Sequence, residues 1–405
     1  MSAARPPEGA HTAAEGEGAP SFAARPPEGA HTVAEGEGAP SFAARPPEGA
    51  HTAAEGEGAP VNANHRTPVL DIRALTVEFP VYRGAVRALD GVQLQVQAGE
   101  IVGVVGESGC GKSVTAMLAM QLLPKGSYRM IGGSISLLGQ DMLGACAASL
   151  QKLRGSRVAM VFQEPLTALN PTRRIGAQMT QVIRRHQRLD RAAARAHAQQ
   201  LLADMRVADP ADILARYPFE LSGGMRQRVL IALAFSGDPA LIIADEPTTA
   251  LDVTVQQQVL TLLRQRARRS HTAVLLITHD MGVISQYTDR SYVMYAGRVI
   301  ESGDTASVLS QPAHPYTAAL LQALPQHGTR KTRLPALAGS VPDLRVPPAG
   351  CSFAARCPQV FARCALKPPL SPLSPLSPVQ PVPPVPGNPA RQVACWLHTA
   401  PDRAA

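Results

Sequence analysis

From Val69 onward, hydrophobic and polar positions follow patterns that change from one segment to the next. Leu70–Phe79 and Val92–Val96 alternate apolar with polar residues, which predicts half-buried strands. Ile101–Val105, Leu241–Ala244 and Ala273–Ile277 are unbroken apolar runs of strand length, suited to a parallel sheet covered on both faces. Val158–Phe162 ends in the same way as a strand. Arg184 to Ala208 is helical in composition, and a helix is expected from Lys112, directly after a glycine-rich loop. Strands and helices alternating around such a loop predict an α/β fold.

The flanks have another texture. Residues 3–60 run through a 20-residue unit beginning Ala-Ala-Arg-Pro-Pro-Glu-Gly nearly three times, with Val33 the position that differs. Phe22 and Phe42 are its large apolar residues, so the repeat cannot bury a core, and residues 1–66 read as a disordered tail. Past about Pro325 the pattern shifts again. Residues 368–390 are rich in Pro, Ser and Val and have no helical period, which suits an extended spacer. The chain therefore divides into a tail at 1–66, a catalytic-type domain at 69–325 and an extension at 326–400.

Composition narrows the picture. Apolar residues make up 45% of the 405, enough for a sizeable core. The formal net charge of +8 is concentrated in Arg184–Arg195 and Arg264–Arg269, which read as solvated helix faces rather than a nucleic-acid surface. No apolar run reaches the length of a membrane span, and the first residues lack the apolar segment of a signal peptide. The expectation is a cytoplasmic protein whose membrane role would need a separate spanning partner. In that compartment the six cysteines are not expected to form structural disulfides.

The candidate chemistry begins at Gly106-Glu107-Ser108-Gly109-Cys110-Gly111-Lys112-Ser113, which fits G-x-x-x-x-G-K-S/T. Glycines let backbone N–H groups curl around phosphates, and the following helix N-terminus adds positive potential. Lys112 is expected to reach the β- and γ-phosphates, and the Ser113 hydroxyl to ligate Mg²⁺. Asp245 and Glu246 end an apolar strand. Asp245 suits Mg²⁺ coordination, and Glu246 suits the orientation or deprotonation of an attacking water. Gln163 and His279 each follow a predicted strand, Gln163 placed to sense metal and water and His279 to hydrogen-bond the γ-phosphate.

Leu221-Ser222-Gly223-Gly224-Met225-Arg226-Gln227-Arg228 resembles the signature motif of ABC ATPases. Gln163 then resembles the Q-loop glutamine, Ala250-Leu251-Asp252 the D-loop and His279 the switch histidine, in family order over roughly residues 69–325. The resemblance implies a RecA-like P-loop NTPase core, an antiparallel β subdomain near its start and a helical subdomain at about 172–225. It also implies ATP sandwiched between two chains, with Ser222 of one facing the phosphate loop of its mate. Phe79 and Tyr82 are both placed to stack on adenine, with Phe79 preferred. Phe162-Gln163-Glu164-Pro165, Leu169-Asn170-Pro171, Met294-Tyr295-Ala296-Gly297-Arg298 and His314-Pro315-Tyr316-Thr317 are similar to words of the oligopeptide/dipeptide permease subfamily, whereas Phe219 stands where that subfamily has histidine.

Cys351, Cys357, Cys364 and Cys395 resemble the C-terminal cysteines of the same subfamily, where four thiolates can hold a 4Fe–4S cluster. Zinc and unligated thiols stay open as alternatives. Ser-Phe-Ala-Ala-Arg recurs at 352–356 and in the tail repeat, a coincidence of composition. The resemblance implies an ATP-hydrolysing importer subunit at the cytoplasmic face of the inner membrane, powering di- or oligopeptide uptake. Its implied partners are two membrane-spanning permease subunits, a second ATP-binding subunit and, indirectly, an extracytoplasmic solute-binding protein. Nickel chelates and glutathione are alternative cargoes. The rival class is a soluble ABC ATPase acting on nucleic acid or ribosomes, and no nucleic acid is expected as partner.

Overall fold

The structure is a computed structural model, described here for residues 67–163, 168–249, 251–323, 337–373 and 390–399. The tail repeat, Glu164, Pro165, Ala250, the boundary near Pro325 and most of the Pro-rich spacer lie outside the described residues.

Two sheets carry the fold. The first joins β1 (Leu70–Val81), β2 (Gly84–Val96), β4 (Arg129–Leu137) and β5 (Gln140–Asp141) in the order β2-β1-β4-β5, antiparallel throughout. This is the antiparallel subdomain that the alternating pattern and the resemblance led us to expect. Its second strand begins eight residues before Val92, because Arg83 and Gly84, at φ 62 and 140, close a tight hairpin.

The second sheet contains β3 (Ile101–Val105), β6 (Val158–Val161), β7 (Leu241–Asp245), β8 (Ala273–Thr278) and β9 (Arg290–Tyr295), with parallel pairing in the order β9-β3-β8-β7-β6. Strands β3, β7, β8 and β9 are buried at every position, which explains why three of them appear in the sequence as unbroken apolar runs. An antiparallel edge follows: β10 (Arg298–Asp304), β12 (Gln392–Val393) and β11 (Ser371–Pro372). Ligands of open α/β sheets bind beyond the carboxyl ends of the strands. Here the ends of β3, β8, β7 and β6 lie side by side and carry the phosphate loop, His279, Asp245–Glu246 and Gln163.

The helical stretch from Arg184 to Ala208 is broken. Helix α3 (Ile175–Gln187) ends where Arg188 turns left-handed at φ 55, and α4 (Arg191–Asp204) restarts on an Asp190 cap that accepts from Ala193 N–H at 2.8 Å. With α5 (Pro210–Ala215) these helices form the expected helical subdomain, packed through Ile175, Met179, Ile183, Leu201 and Leu202.

The cysteine-bearing extension is built into this body. Val393 pairs with Glu301 at the sheet edge, and Ala394 N–H donates to Ile300 O. Phe353 is buried with Tyr295 and Tyr316 in a shared cluster. The Arg391 guanidinium bonds the fully buried Glu301 carboxylate at 2.7 Å.

Candidate active site

Strand β3 delivers the chain into the phosphate loop, and α1 (Lys112–Ala119) receives it. The tight turn explains the glycines. A Cβ on Gly106 would lie 2.1 Å from Met294 O, and one on Gly111, at φ 102, would lie 2.7 Å from a Leu89 methyl. Buried Lys112 donates from Nζ to Gly106 O at 2.8 Å and Glu107 O at 3.0 Å, so its ammonium stands inside the curl of the loop. Cys110 is buried beside it. Burial pushes its thiol up, with Lys112 opposing, which suits a packing residue better than a nucleophile.

Asp245 closes β7, and its Oδ1 accepts from Ser113 Oγ at 3.1 Å. Burial pushes the Asp245 carboxyl up, the Ser113 bond opposes this, and the neighbouring Glu246 charge adds to the rise. A divalent cation between Ser113 and Asp245 would favour the charged carboxylate, so this donor pair fits Mg²⁺.

Glu246 adopts a left-handed backbone at φ 45, which costs a non-glycine residue about 1–3 kcal/mol and persists only where its surroundings enforce it. Its N–H is fixed to Ile277 O at 2.9 Å. Its carboxylate is held by Gln163 Nε2 at 3.1 Å, Thr249 Oγ1 at 3.0 Å and His279 Nδ1 at 3.2 Å. The strained turn therefore aims Glu246 into a cleft of about 570 Å³ lined by Ser108, Gly109, Gly111, Lys112, Ser113, Gln163 and His279.

The signature segment forms a second groove. Ser222 caps α6 (Gly223–Phe235), its Oγ accepting from Met225 N–H at 3.3 Å, while Leu221 is buried beneath. Ser222, Gly223, Gly224 and Met225 line this groove with Leu251 and Asp252, and Asp252 in turn caps α7 (Val253–Arg269). No lining residue is common to this groove and the phosphate cleft.

Neither candidate for adenine lines the cleft. Tyr82 is 87% exposed at the hairpin tip, whereas Phe79 packs on Tyr128 with ring centroids 6.3 Å apart. The cleft's remaining wall comes from Val86, Ala88 and Leu344, the last from the extension. Sequence reasoning missed Leu344. It also missed Thr249 as a partner of Glu246, and the grip of Tyr316 and Arg356 on Glu107.

The four C-terminal cysteines share one corner. Cys351 N–H donates to Cys364 O at 2.9 Å, and Cys364 and Cys395 are buried. Burial, then the charges of Cys351, Cys357 and Cys364, push the Cys395 thiol up to about 12. Among the described residues no group of three or more His, Cys, Asp or Glu side chains is gathered as metal ligands must be. The thiols feel one another without being drawn into a ligand set, and a four-thiol donor set is the right chemistry for an iron–sulfur cluster.

Among the described residues no helix is long and apolar enough to cross a membrane. Residues 89–249 match the ABC transporter family, and residues 300–364 match the oligopeptide/dipeptide transporter C-terminal region. A probable D,D-dipeptide transport ATP-binding protein of Escherichia coli K12, DdpD, is 57% identical over 81% of this chain and 96% of its own length. The Bacillus subtilis dipeptide transport ATP-binding protein DppD is 43% identical over 73% of this chain and 88% of its own length. The dimeric ATP-binding cassette MJ0796 has a similar fold, with a TM-score of 0.53 at 24% identity over 58% of this chain and 98% of that one. With a phosphate loop, a strained carboxylate beyond β7 and a separate signature groove on one chain, the protein belongs to the ATP-hydrolysing, ATP-binding subunits of ABC transporters, in their oligopeptide/dipeptide branch.

Proposed function

We propose that this chain powers uptake of di- or oligopeptides across the cytoplasmic membrane, working on the inner face of that membrane beneath two permease subunits. The observation that carries the reading is the separation of the two grooves. The phosphate cleft holds Lys112, Gln163, Glu246 and His279, while Ser222 and its glycines line a surface elsewhere on the chain. A helix N-terminus with a serine cap is an anion site, and a second ATP-binding chain can bring it to the γ-phosphate. In that arrangement Glu246 orients or deprotonates the water, Gln163 and Thr249 hold its carboxylate, and His279 contacts the γ-phosphate. Ser113 and Asp245 would hold Mg²⁺, which neutralises charge on the phosphates. Phe79, paired across the hairpin with the cleft residue Val86, and Tyr82, with its exposed ring, are the two side chains that can cover adenine. ATP binding closes the pair and hydrolysis reopens it, which drives the permease between its two states.

In this reading Cys351, Cys357, Cys364 and Cys395 hold a 4Fe–4S cluster with a structural role. Two of the thiols are already buried, and the corner is closed by Trp396, whose Nε1–H donates to Leu366 O at 2.9 Å and whose ring lies 4.2 Å from the Arg363 guanidinium carbon.

One preparation tests both statements. The tagged chain, solubilised gently and purified without oxygen, should bring two permease subunits and a second ATP-binding chain, with about four irons per chain and broad absorbance near about 400 nm. Recovery with RNA or DNA and no membrane subunits would overturn the transport reading. Stoichiometric zinc without iron would overturn the cluster.

A further inference from the structure

Glu107, second residue of the phosphate loop, is held through both its N–H and its carboxylate by groups from the C-terminal third of the chain. Its N–H donates to the hydroxyl of Tyr316, on α10 (Pro315–Gln322), at 3.0 Å. Its carboxylate receives both ends of the Arg356 guanidinium, at 2.7 and 3.0 Å. Arg356 is itself fixed. Its Nε–H donates to Ala338 O at 2.9 Å, its carbon lies 5.7 Å from the centre of the Tyr295 ring, and its side chain is only 5% exposed. It ends a short 3₁₀ turn, Ala354–Arg356, that Phe353 anchors against Tyr295, Tyr316 and His314. Nearby, Leu344 accepts from Arg87 N–H through its carbonyl at 3.0 Å and walls the nucleotide cleft.

We infer that the C-terminal extension is a working part of the nucleotide site, in which Arg356 acts through Glu107 as a positioning residue that holds the phosphate loop in its binding shape. The inference rests on the reading of the cleft as an ATP site. Physically, a phosphate loop binds by presenting backbone N–H groups in a fixed curve, and a loop that must be ordered on binding loses affinity to that ordering. A forked guanidinium on a carboxylate fixes position and angle together, because two parallel hydrogen bonds resist rotation as a single one does not. Arg356 makes this fork from a turn locked by aromatic packing, so the loop is anchored to a rigid body. Lys112 also restrains the loop, through the carbonyls of Gly106 and Glu107, but its ammonium would have to leave those bonds to reach a bound phosphate. The Arg356–Glu107 pair needs no such rearrangement. It restrains the loop before and after binding, so it lowers the ordering cost of binding without touching the reacting atoms. Its loss should therefore appear in KM and not in kcat.

The test is a two-residue cycle in the assembled transporter, with a fluorescent ATP analogue for Kd and steady-state hydrolysis for KM and kcat. Arg356→Met and Glu107→Gln should each raise Kd and KM for ATP about tenfold with kcat within about twofold. The double variant should be no worse than either single, because both break one contact. Arg356→Lys should lie between, as an ammonium supplies the charge but not the fork. Additive losses in the double variant, or an Arg356→Met protein with wild-type Kd, would overturn the inference. Should Arg356→Met fail to fold, Glu107→Gln against Glu107→Gln/Arg356→Lys reads the same contact, and a further loss on adding the lysine counts against it. Failure of the wild-type complex to bind the analogue would instead sink the underlying reading of the cleft.

Discussion

Glu246→Gln should leave ATP bound and slow its hydrolysis by about 10²–10⁴-fold, the range for loss of a general base. The substitution keeps size and most hydrogen bonding but removes the proton acceptor. Nothing that holds phosphate changes. Lys112 and Ser113 are held by the loop carbonyls and by Asp245, and Glu246's left-handed backbone is enforced by Ile277 O and Thr249, not by the charge of its side chain. The partners of the carboxylate point the same way. Gln163 and Thr249 direct hydrogen bonds at one oxygen and His279 approaches the other, an arrangement that orients a base. Filter binding of radiolabelled ATP together with single-turnover hydrolysis in the assembled transporter separates the two properties. The variant should accumulate a nucleotide-bound closed pair. Turnover within a few-fold of wild type would remove Glu246 from the chemistry.

Ser222→Arg should be nearly as damaging, but at a different site. The hydroxyl caps α6, and with Gly223 and Gly224 it lines the groove of the signature segment. An arginine there removes the cap and fills the space that the mate's γ-phosphate would enter. Loss of preorganised donors costs hydrolysis about 10²–10³-fold, and the steric misfit adds to it. The loss falls on nucleotide held by the partner's phosphate loop, while nucleotide at this chain's own Lys112 is still bound. Quantifying hydrolysis with Lys112→Ala placed in one subunit at a time assigns the defect to a site. Full activity of Ser222→Arg, or full activity of a strictly monomeric wild-type chain, would contradict a site shared between chains.

The features that were legible in the sequence are local ones. Ile101–Val105 and the helix start at Lys112 fall where the pattern put them, because a doubly covered strand must be apolar throughout and the phosphate loop must be glycine-rich. Gln163, Glu246 and His279 meet because each follows a strand end on the same edge of one parallel sheet. Features that depend on distant partners were hidden. Strand β9 begins Arg290-Ser291, polar residues that no periodicity marks as core. Arg290 is buried because Glu100, 190 residues away, takes its Nε–H at 2.7 Å. The break at Arg188 has no glycine or proline to announce it, and Asp190, a good helix cap, was the available sign. Arg356 stands in a stretch that looked like an echo of the tail repeat, and its partner Glu107 lies 249 residues away. The attachment of the extension was hidden likewise, because its sheet pairing is only two residues long, Gln392–Val393, and its other anchors, among them Phe353, Arg356 and Arg391, are single side chains whose partners lie far off in the sequence.

The central claim is that ATP hydrolysis at this site drives peptide import. Its most direct measurement is accumulation of a radiolabelled dipeptide by proteoliposomes that contain the whole transporter, with ATP on the side of this subunit and a solute-binding protein on the other. We predict concentrative uptake that needs ATP and is abolished, together with hydrolysis, by Glu246→Gln. Brisk ATP hydrolysis with no dipeptide or oligopeptide accumulated, or uptake that persists undiminished in the Glu246→Gln complex, would contradict the account.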